Sequence, residues 1–183
     1  MEKTYKTTGI VLISRDFGES DRLFVVYTRD YGKIEVLAKG AKKILSKLNA
    51  HMAEYSLVDM MVANGSKLDK LAGAVLIKDY TNIKASLVGV ALASYLAEVF
   101  NILFAAPQKD QQIFDKLVLL FDYLDENINL LKKLELEKRM YQFIGEIMKD
   151  LGYLKKEDEI QEGNILNYLG RELKTAQFLA NIS

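Results

Sequence analysis

Residues 29–47 read R-D-Y-G-K-I-E-V-L-A-K-G-A-K-K-I-L-S-K, a turn followed by a short alternating segment and a lysine-rich loop. Gly32 suits the tight turn, because glycine adopts positive φ angles without a Cβ clash. From Lys33 onward, apolar side chains alternate with mostly polar ones, as they do in a half-buried strand. The stretch therefore predicts a turn, a β-strand and then a basic loop after Gly40.

The basic loop has two interpretations. Residues 33–47 hold five lysines and one glutamate, and no acidic residue occurs between 36 and 53. Such a cluster suits an anionic ligand such as nucleic acid, whereas composition alone slightly favours a solvated loop that keeps a sheet edge soluble. Because the alternation does not bury Lys42 and Lys43, we expect their removal to leave the stability of the fold nearly unchanged.

Composition limits the class of protein. The 183-residue chain is 50% hydrophobic, which supports a globular core in one large or two small domains. The absence of cysteine excludes a disulfide framework and a thiolate zinc site, and it favours the reducing cytoplasm. The first residues lack the apolar run of a secretory signal, and the apolar stretch at 85–97 is too short to span a membrane. These features predict a soluble cytoplasmic protein.

Charge and hydrophobic periodicity both change near residue 80. Residues 1–80 hold 13 basic and 10 acidic side chains, whereas residues 81–183 hold 12 and 15. At the same place, alternation over short runs gives way to helical spacing over long ones. We therefore predict two domains, 1–80 and 81–183, of which the first is the better polyanion binder.

The first domain is predicted to contain five strands. They cover residues 4–15, 22–28, 33–39, about 54–63 and about 71–80. Five short strands with a long connection between the third and fourth fit a small barrel of the OB type, which hides the strand edges that a lone meander would expose. An SH3-like barrel is the alternative.

The second domain is predicted to be entirely helical, so the fold class is α+β. The helices cover 82–105, 109–127, about 131–151 and a final segment that starts after Asn164 as its N-cap. Pro107 is expected to end the first helix, and Gly152 to close the third. The first helix is apolar nearly all round, as expected for the central helix of a bundle.

Enzyme motifs are absent from the sequence. No G-x-x-x-x-G-K-[ST] loop and no G-x-G-x-x-G turn occurs, and the only histidine, His51, has no companions at metal-ligand spacing. We therefore predict a protein that is not an enzyme and has no cofactor and no metal. Phe17, Tyr31 and Tyr55 are core residues or, on a barrel surface, platforms for stacked bases.

Several motifs together resemble the RecO family of bacterial recombination mediators. They are T-T-G-I-V-L-I-S-R-D-F-G-E-S-D-R at 7–22, T-R-D-Y-G-K at 28–33 and L-A-K-G-A-K-K at 37–43. Weaker similarities are Y-S-L-V-D at 55–59, L-G-Y at 151–153 and R-E-L-K-T-A-Q-F-L at 171–179. The resemblance thus covers nearly the whole chain.

The resemblance implies an OB-fold followed by a helical domain, single- and double-stranded DNA binding, and annealing of complementary strands. It further implies that the protein acts with RecR, and sometimes RecF, to load RecA onto single strands coated by SSB. The implied location is the cytoplasm, in association with the nucleoid. Many relatives carry a four-cysteine zinc module after the L-G-Y landmark. Here that stretch reads K-K-E-D-E-I-Q-E-G-N at 155–164, which cannot hold such a zinc ion.

Two sets of candidate site residues follow. For DNA phosphates they are Arg15, Arg22, Arg29, Lys33, Lys39, Lys42, Lys43, Lys47, Lys67 and Lys70. For the acidic, apolar SSB tail they are Lys132, Lys133, Lys138 and Arg139. The alternatives to a DNA mediator are a protein-interaction scaffold whose lysines only solubilise it, and an RNA-binding OB module.

Overall fold

The computed structural model describes residues 4–42, 51–104, 108–155, 157–158, 162–170 and 173–182. Within them the strands are β1 Thr4–Phe17, β2 Asp21–Thr28, β3 Gly32–Ala38, β4 Ser56–Ala63 and β5 Asp69–Asp79. The helices are α1 Thr81–Ala85, α2 Leu87–Leu103, α3 Gln111–Asn127, α4 Lys133–Asp150, α5 Glu162–Leu169 and α6 Lys174–Ala180. The chain divides into two compact units, Met1–Asp79 with Phe104–Asp115, and Tyr80–Leu103 with Lys116–Ser183.

The five strands close into a barrel in the order β1-β2-β3-β5-β4. All neighbouring pairs are antiparallel except β3 and β5, which run parallel through Val36–Asp69 and Leu37–Lys70. The prediction of an OB-type barrel followed by helices is confirmed, and the SH3-like alternative is set aside.

Strand β1 joins both sides of the barrel. Its first half, from Thr4 to Ile10, pairs with β4, and its second half, from Gly9 to Phe17, pairs with β2. The register with β2 shifts between Val11 and Ile13. A bulge of this kind bends a strand and increases its twist, so β1 can turn from one partner to the other.

The barrel interior is apolar and follows the predicted alternation. In β3, Ile34, Val36 and Ala38 are buried, and the residues between them are partly exposed. Aromatic and aliphatic side chains from all five strands complete this core, including Val11, Phe24, Val26, Val58, Met60, Val62 and Leu71. Burial of these side chains is the main stabilising contribution to the barrel.

The helical unit departs from the sequence prediction at both ends. The segment predicted as one helix from 82 forms α1 and α2, because the Ser86 hydroxyl accepts a hydrogen bond from the Gly89 backbone N–H at 3.2 Å and so caps a new helix. The predicted last helix is likewise two helices, with Gly170 at φ +66° after α5. Asn164 lies inside α5, so its predicted role as N-cap is wrong.

The core of the helical unit is built by α2, α3 and α4. Phe100 and Phe143 stack with ring centroids 6.3 Å apart, and Tyr80 packs on Phe121 at 5.3 Å. Helix α4 ends as predicted at Gly152, whose positive φ angle allows Tyr153 N–H to reach the Met148 carbonyl at 2.8 Å. Of the helices that the structure describes, none has both the length and the apolar character needed to cross a membrane.

Gly32 is required by the turn before β3 for two reasons. Its φ angle is +66°, in the left-handed region that favours glycine, and its carbonyl accepts the buried Thr28 hydroxyl at 2.8 Å. A Cβ at this position would also lie 2.2 Å from the Gln108 carbonyl oxygen. Both the backbone angle and the close approach of Gln108 therefore exclude a side chain.

We predict that Gly32→Ala destabilises the protein by more than about 2 kcal/mol, since backbone strain and a backbone clash add. Gly18→Ala is the matched control, because Gly18 has φ +63° but open space around its Cβ position. That variant should lose only about 1 to 2 kcal/mol from the left-handed angle. Urea unfolding measures both, and equal losses would show that Gln108 yields without cost.

Glu98 of α2 caps the start of α6. Its carboxylate accepts hydrogen bonds from the Lys174 and Thr175 backbone N–H groups at 3.1 and 2.9 Å, and from the Thr175 hydroxyl at 2.7 Å. Desolvation alone would raise the pKa of Glu98, but the bonds from Thr175 and Lys174 outweigh it and hold the pKa below its usual range. The ionised carboxylate is thus the form that the folded state prefers.

Because the pKa of Glu98 is lowered on folding, its contribution is fully present above the unfolded value of about 4.3 and is lost as the pH falls through the folded pKa. We expect Glu98→Gln to cost about 1 to 2 kcal/mol at pH 7, as for loss of a helix cap. The cost should shrink when unfolding is measured at progressively lower pH below about 4.3. Glu146→Gln, at an exposed position of α4, is the control and should show neither effect.

Candidate nucleic-acid interface

One cross-strand row places basic residues on a common face of the barrel. Arg15 of β1 lies opposite Leu23 of β2, Leu23 opposite Leu37 of β3, and Leu37 opposite Lys70 of β5. Residues directly opposite each other in a sheet point to the same side, so Arg15 and Lys70 both lie on the side away from the barrel core, although Leu23 in the same row is buried. They are separated by three strand spacings, about 14 Å along the sheet.

Lys33 and Lys39 belong to the same face. Lys33 alternates with the buried residues of β3, and Lys39 follows the last residue of the strand at an exposed position. We call the outward surface that carries Arg15, Lys33, Lys39 and Lys70 the basic face. It unites half of the sequence candidates that the structure describes.

The charges of the basic face are partly compensated. Arg15 Nη2 lies 3.3 Å from Glu35 Oε1, and both side chains are well exposed. An exposed pair of this kind contributes little to stability, so a phosphate can compete for the guanidinium. Partial desolvation lowers the pKa of Lys33, and the nearby Glu35 carboxylate acts in the opposite direction.

Two other candidates turn away from the basic face. Arg22 lies in the row with Asp16 and the buried Ala38, and its Nε is 3.6 Å from an Asp16 oxygen. Lys42 also pairs with Asp16, at 3.0 Å, and its ammonium donates to the Gly18 carbonyl at 2.9 Å. The contacts of these two cations therefore link residues at the β1–β2 end of the barrel.

Lys42 is not buried, as expected, but it makes contacts that the sequence pattern did not predict. Its side chain is only 25% exposed, and its backbone N–H donates to the Ser20 carbonyl at 3.0 Å. The contacts come from the β1–β2 turn, which is distant in sequence. Lys43 and Lys47 lie outside the described residues.

Arg29 and Lys67 occupy turns. Arg29 is exposed and is placed to donate from Nε to the Gln111 amide oxygen at 2.9 Å, once that amide is oriented to satisfy both groups. With Lys6 it lines a groove of about 680 Å³ over β1, β4 and β5. Lys67 is exposed in the β4–β5 turn. Both residues thus lie apart from the row that runs from Arg15 to Lys70.

The three aromatic candidates have different surroundings. Tyr55 is buried, whereas Phe17 and Tyr31 are 44% and 40% exposed at opposite ends of β2. Tyr31 pairs with Tyr5, a residue that sequence reasoning missed, with ring centroids 4.4 Å apart. The Tyr5 hydroxyl donates to Asp69 at 2.8 Å, and burial together with this bond raises the pKa of Tyr5. The alternation of side chains along β1 was the sequence signal that could have identified Tyr5.

The candidate partner residues of the helical unit are only partly available. Lys133 contacts Glu137 at 3.6 Å and donates to the Ile182 carbonyl, and the Arg139 guanidinium lies 5.9 Å from the centre of the Tyr123 ring. Lys132, before α4, and Lys138 are exposed. The exposed cations of this set are therefore Lys132, Lys138 and Arg139.

Two exposed leucines accompany these lysines, and sequence reasoning missed them. Leu130 and Leu134 are 77% and 75% exposed, and Leu134 lies one helical turn before Lys138. Leu130 precedes α4 in the turn after α3. The start of α4 thus offers apolar surface beside a cation.

Histidine, carboxylate and thiolate side chains are the groups that could hold a metal ion in this chain. Among the described residues, no cluster of histidine and carboxylate side chains could hold a metal ion. The chain has no cysteine, so a four-thiolate zinc module does not fit it.

Comparison with known proteins gives one consistent result. The family described as Recombination protein O N terminal matches residues 1–80. A DNA repair protein RecO of Acaryochloris marina is 38% identical over 112 residues, which are 60% of this chain and 38% of that protein. The RecO of Nostoc sp. is 33% identical over 134 residues, which are 73% and 43% of the two chains. That of Trichodesmium erythraeum is 34% identical over 137 residues, or 74% and 44%.

The chain spans about two fifths of the length of these curated relatives. The matched region nevertheless includes the whole barrel, with the basic face and its turns. The chain belongs to the RecO family, whose N-terminal model matches residues 1–80.

Proposed function

We propose that this protein is a recombination mediator of the RecO type, which acts in DNA repair and homologous recombination by binding DNA. The observation that carries the proposal is the basic face on an OB barrel of this family, with Arg15 and Lys70 in one cross-strand row. OB-folds bind oligonucleotides on the outer face of strands 2 and 3. In this barrel the outward residues of β2 are buried, so the accessible cations of that face are those beside β3, Lys33 and Lys39. The four cations of the basic face neutralise phosphates and release their counterions.

Annealing follows from the same interaction. Two complementary strands repel each other through their phosphates, and lysine and arginine side chains screen that repulsion while the bases remain free to pair. The step needs no covalent chemistry and therefore no catalytic residue or cofactor. Because RecO proteins are recombination mediators, the proposal also includes assistance in RecA loading, together with RecR and sometimes RecF.

A second candidate function is a protein-interaction scaffold. It is favoured by the outer surface of β4 and β5, where Met61, Val75 and Ile77 are 39%, 64% and 50% exposed. Apolar side chains grouped on one face suit a protein partner. The two functions are compatible, because this surface and the basic face lie on different strands of the barrel except for β5. RecR is the partner that the family suggests for it.

The partner proposed for the helical unit is the acidic, apolar tail of SSB. Leu130 and Leu134 offer apolar contact, and Lys132 and Lys138 offer positive charge beside it. A short peptide with a carboxylate end and apolar side chains complements such a surface. The proposal concerns this patch alone, because the unit as a whole carries more acidic than basic residues.

The DNA proposal predicts the salt dependence of binding. Fluorescence anisotropy with a labelled single strand should give a linear fall of log affinity with log salt. Replacing Lys39 and Lys70 with glutamine should reduce the magnitude of the slope by about 1.4, or about 0.7 for each phosphate that is no longer neutralised. Lys155→Gln, at an exposed position of the helical unit, should leave the slope unchanged.

An unchanged slope in a folded Lys39→Gln, Lys70→Gln variant would place the DNA path elsewhere, with Arg29 and Lys67 as the next residues to replace. No binding by the wild-type protein at low salt would leave the scaffold function standing. Tighter binding to RNA than to DNA of the same sequence would favour the RNA module.

The tail proposal predicts that a peptide with the acidic, apolar character of the SSB tail binds the wild-type protein in a calorimetric titration. Leu134→Ser and Lys138→Glu should each weaken binding at least about tenfold, a loss near 1.4 kcal/mol. Leu119→Ser is the matched control, because Leu119 of α3 is 67% exposed and has no place in the patch. Equal affinities for all three variants would contradict the location, and no heat with the wild type would contradict the partner.

A further inference from the structure

The end of the barrel at the β2–β3 turn contains a cavity that the basic face does not use. Its volume is about 610 Å³, and its lining includes Tyr5, Tyr31, Asp30, Asp69 and Lys109. The volume is typical of small-molecule sites. All five residues belong to the same compact unit.

The aromatic wall of this cavity is held rigidly. The Tyr31 backbone N–H donates to the Thr28 hydroxyl at 3.2 Å, and that hydroxyl donates to the Gly32 carbonyl at 2.8 Å. Tyr5 supports the Tyr31 ring at a centroid distance of 4.4 Å. Tyr31 as a whole residue nevertheless remains 40% exposed. A fixed and exposed aromatic ring offers a stacking surface without the entropy cost of ordering it.

The charges of the cavity disfavour a phosphate group. Asp69 is fixed by the Tyr5 hydroxyl at 2.8 Å and by the Gly65 backbone N–H at 3.1 Å, and Asp30 accepts the Thr7 hydroxyl at 3.0 Å. Two carboxylates against Lys109 repel a phosphate group. They accept hydrogen bonds from the amino groups that several nucleobases carry at their edges.

We infer that this cavity receives one unstacked nucleobase of a bound single strand, with the Tyr31 ring as its stacking platform and Tyr5 as the residue that positions the platform. The inference rests on the proposed DNA function and adds a base-binding site to its phosphate contacts. Stacking on an aromatic ring accepts every base, because each base has a π-face. The cavity thus holds the strand by a contact that salt does not screen.

The test compares two exposed aromatic residues at opposite ends of β2. Binding of a labelled single strand of about 16 nucleotides, the upper site size of one OB-fold, is measured over a salt series. Tyr31→Ala should weaken binding about 5- to 150-fold at each salt concentration, as the loss of one stacked base does. The log–log slope should not change, because no charge is removed. Tyr31→Phe and the control Phe17→Ala should stay within about twofold of the wild type, since the first keeps the ring and the second lies outside the cavity.

A second measurement does not depend on loss of binding. The chain has no tryptophan, so Tyr31→Trp introduces a single reporter whose fluorescence a stacked base should quench, whereas Phe17→Trp should show no quenching. Wild-type affinity in a folded Tyr31→Ala variant, or no quenching at position 31 while the strand binds, would refute the base-binding site. Either result would leave the proposed DNA function intact. No binding of the strand by the wild-type protein would overturn the proposed DNA function as well.

Discussion

Closure of the barrel by β1 is the constraint on which the rest of the first unit depends. A five-stranded sheet with a free edge would expose unpaired backbone groups, and β1 removes that edge by pairing with β4 and β2 in succession. The register shift between Val11 and Ile13 lets one strand serve both partners. In the closed barrel, the register of each pair, which depends on the hydrophobic pattern and the turns, determines which side chains face the core and which face outward.

The basic face is a consequence of this register. Arg15 and Lys70 are 55 residues apart in the sequence, yet β2 and β3 bring them into one row. A slip of one residue in any of these pairs would move the cations to the apolar interior or separate them. The turn at Gly32 helps to hold the register of β2 with β3. Its positive φ angle and the close approach of Gln108 both require glycine at this position.

Local patterns predicted local features well. The alternation of Ile34, Val36 and Ala38 and the turn at Gly32 were readable because each depends on neighbours in the sequence. The partners of Lys42 were not, since Asp16 and Gly18 reach it through the pairing of β1 with β2. The break at Ser86 was also missed, because apolar residues continue through it and only a single hydroxyl cap starts the new helix. Hydrophobic periodicity does not predict contacts between residues distant in sequence or individual side-chain hydrogen bonds.

The acidic residues beside the cations shape how the barrel meets a polyanion. Arg15 has Glu35 as a partner, so a phosphate that binds its guanidinium replaces an existing carboxylate instead of filling an empty site. In exposed pairs this exchange involves about 1 kcal/mol, because water screens charges at such distances. The gain for each phosphate is therefore smaller than at an uncompensated cation, and the strand leaves more easily. For a protein proposed to bring two strands together and then release the duplex, paired cations are better suited than bare ones.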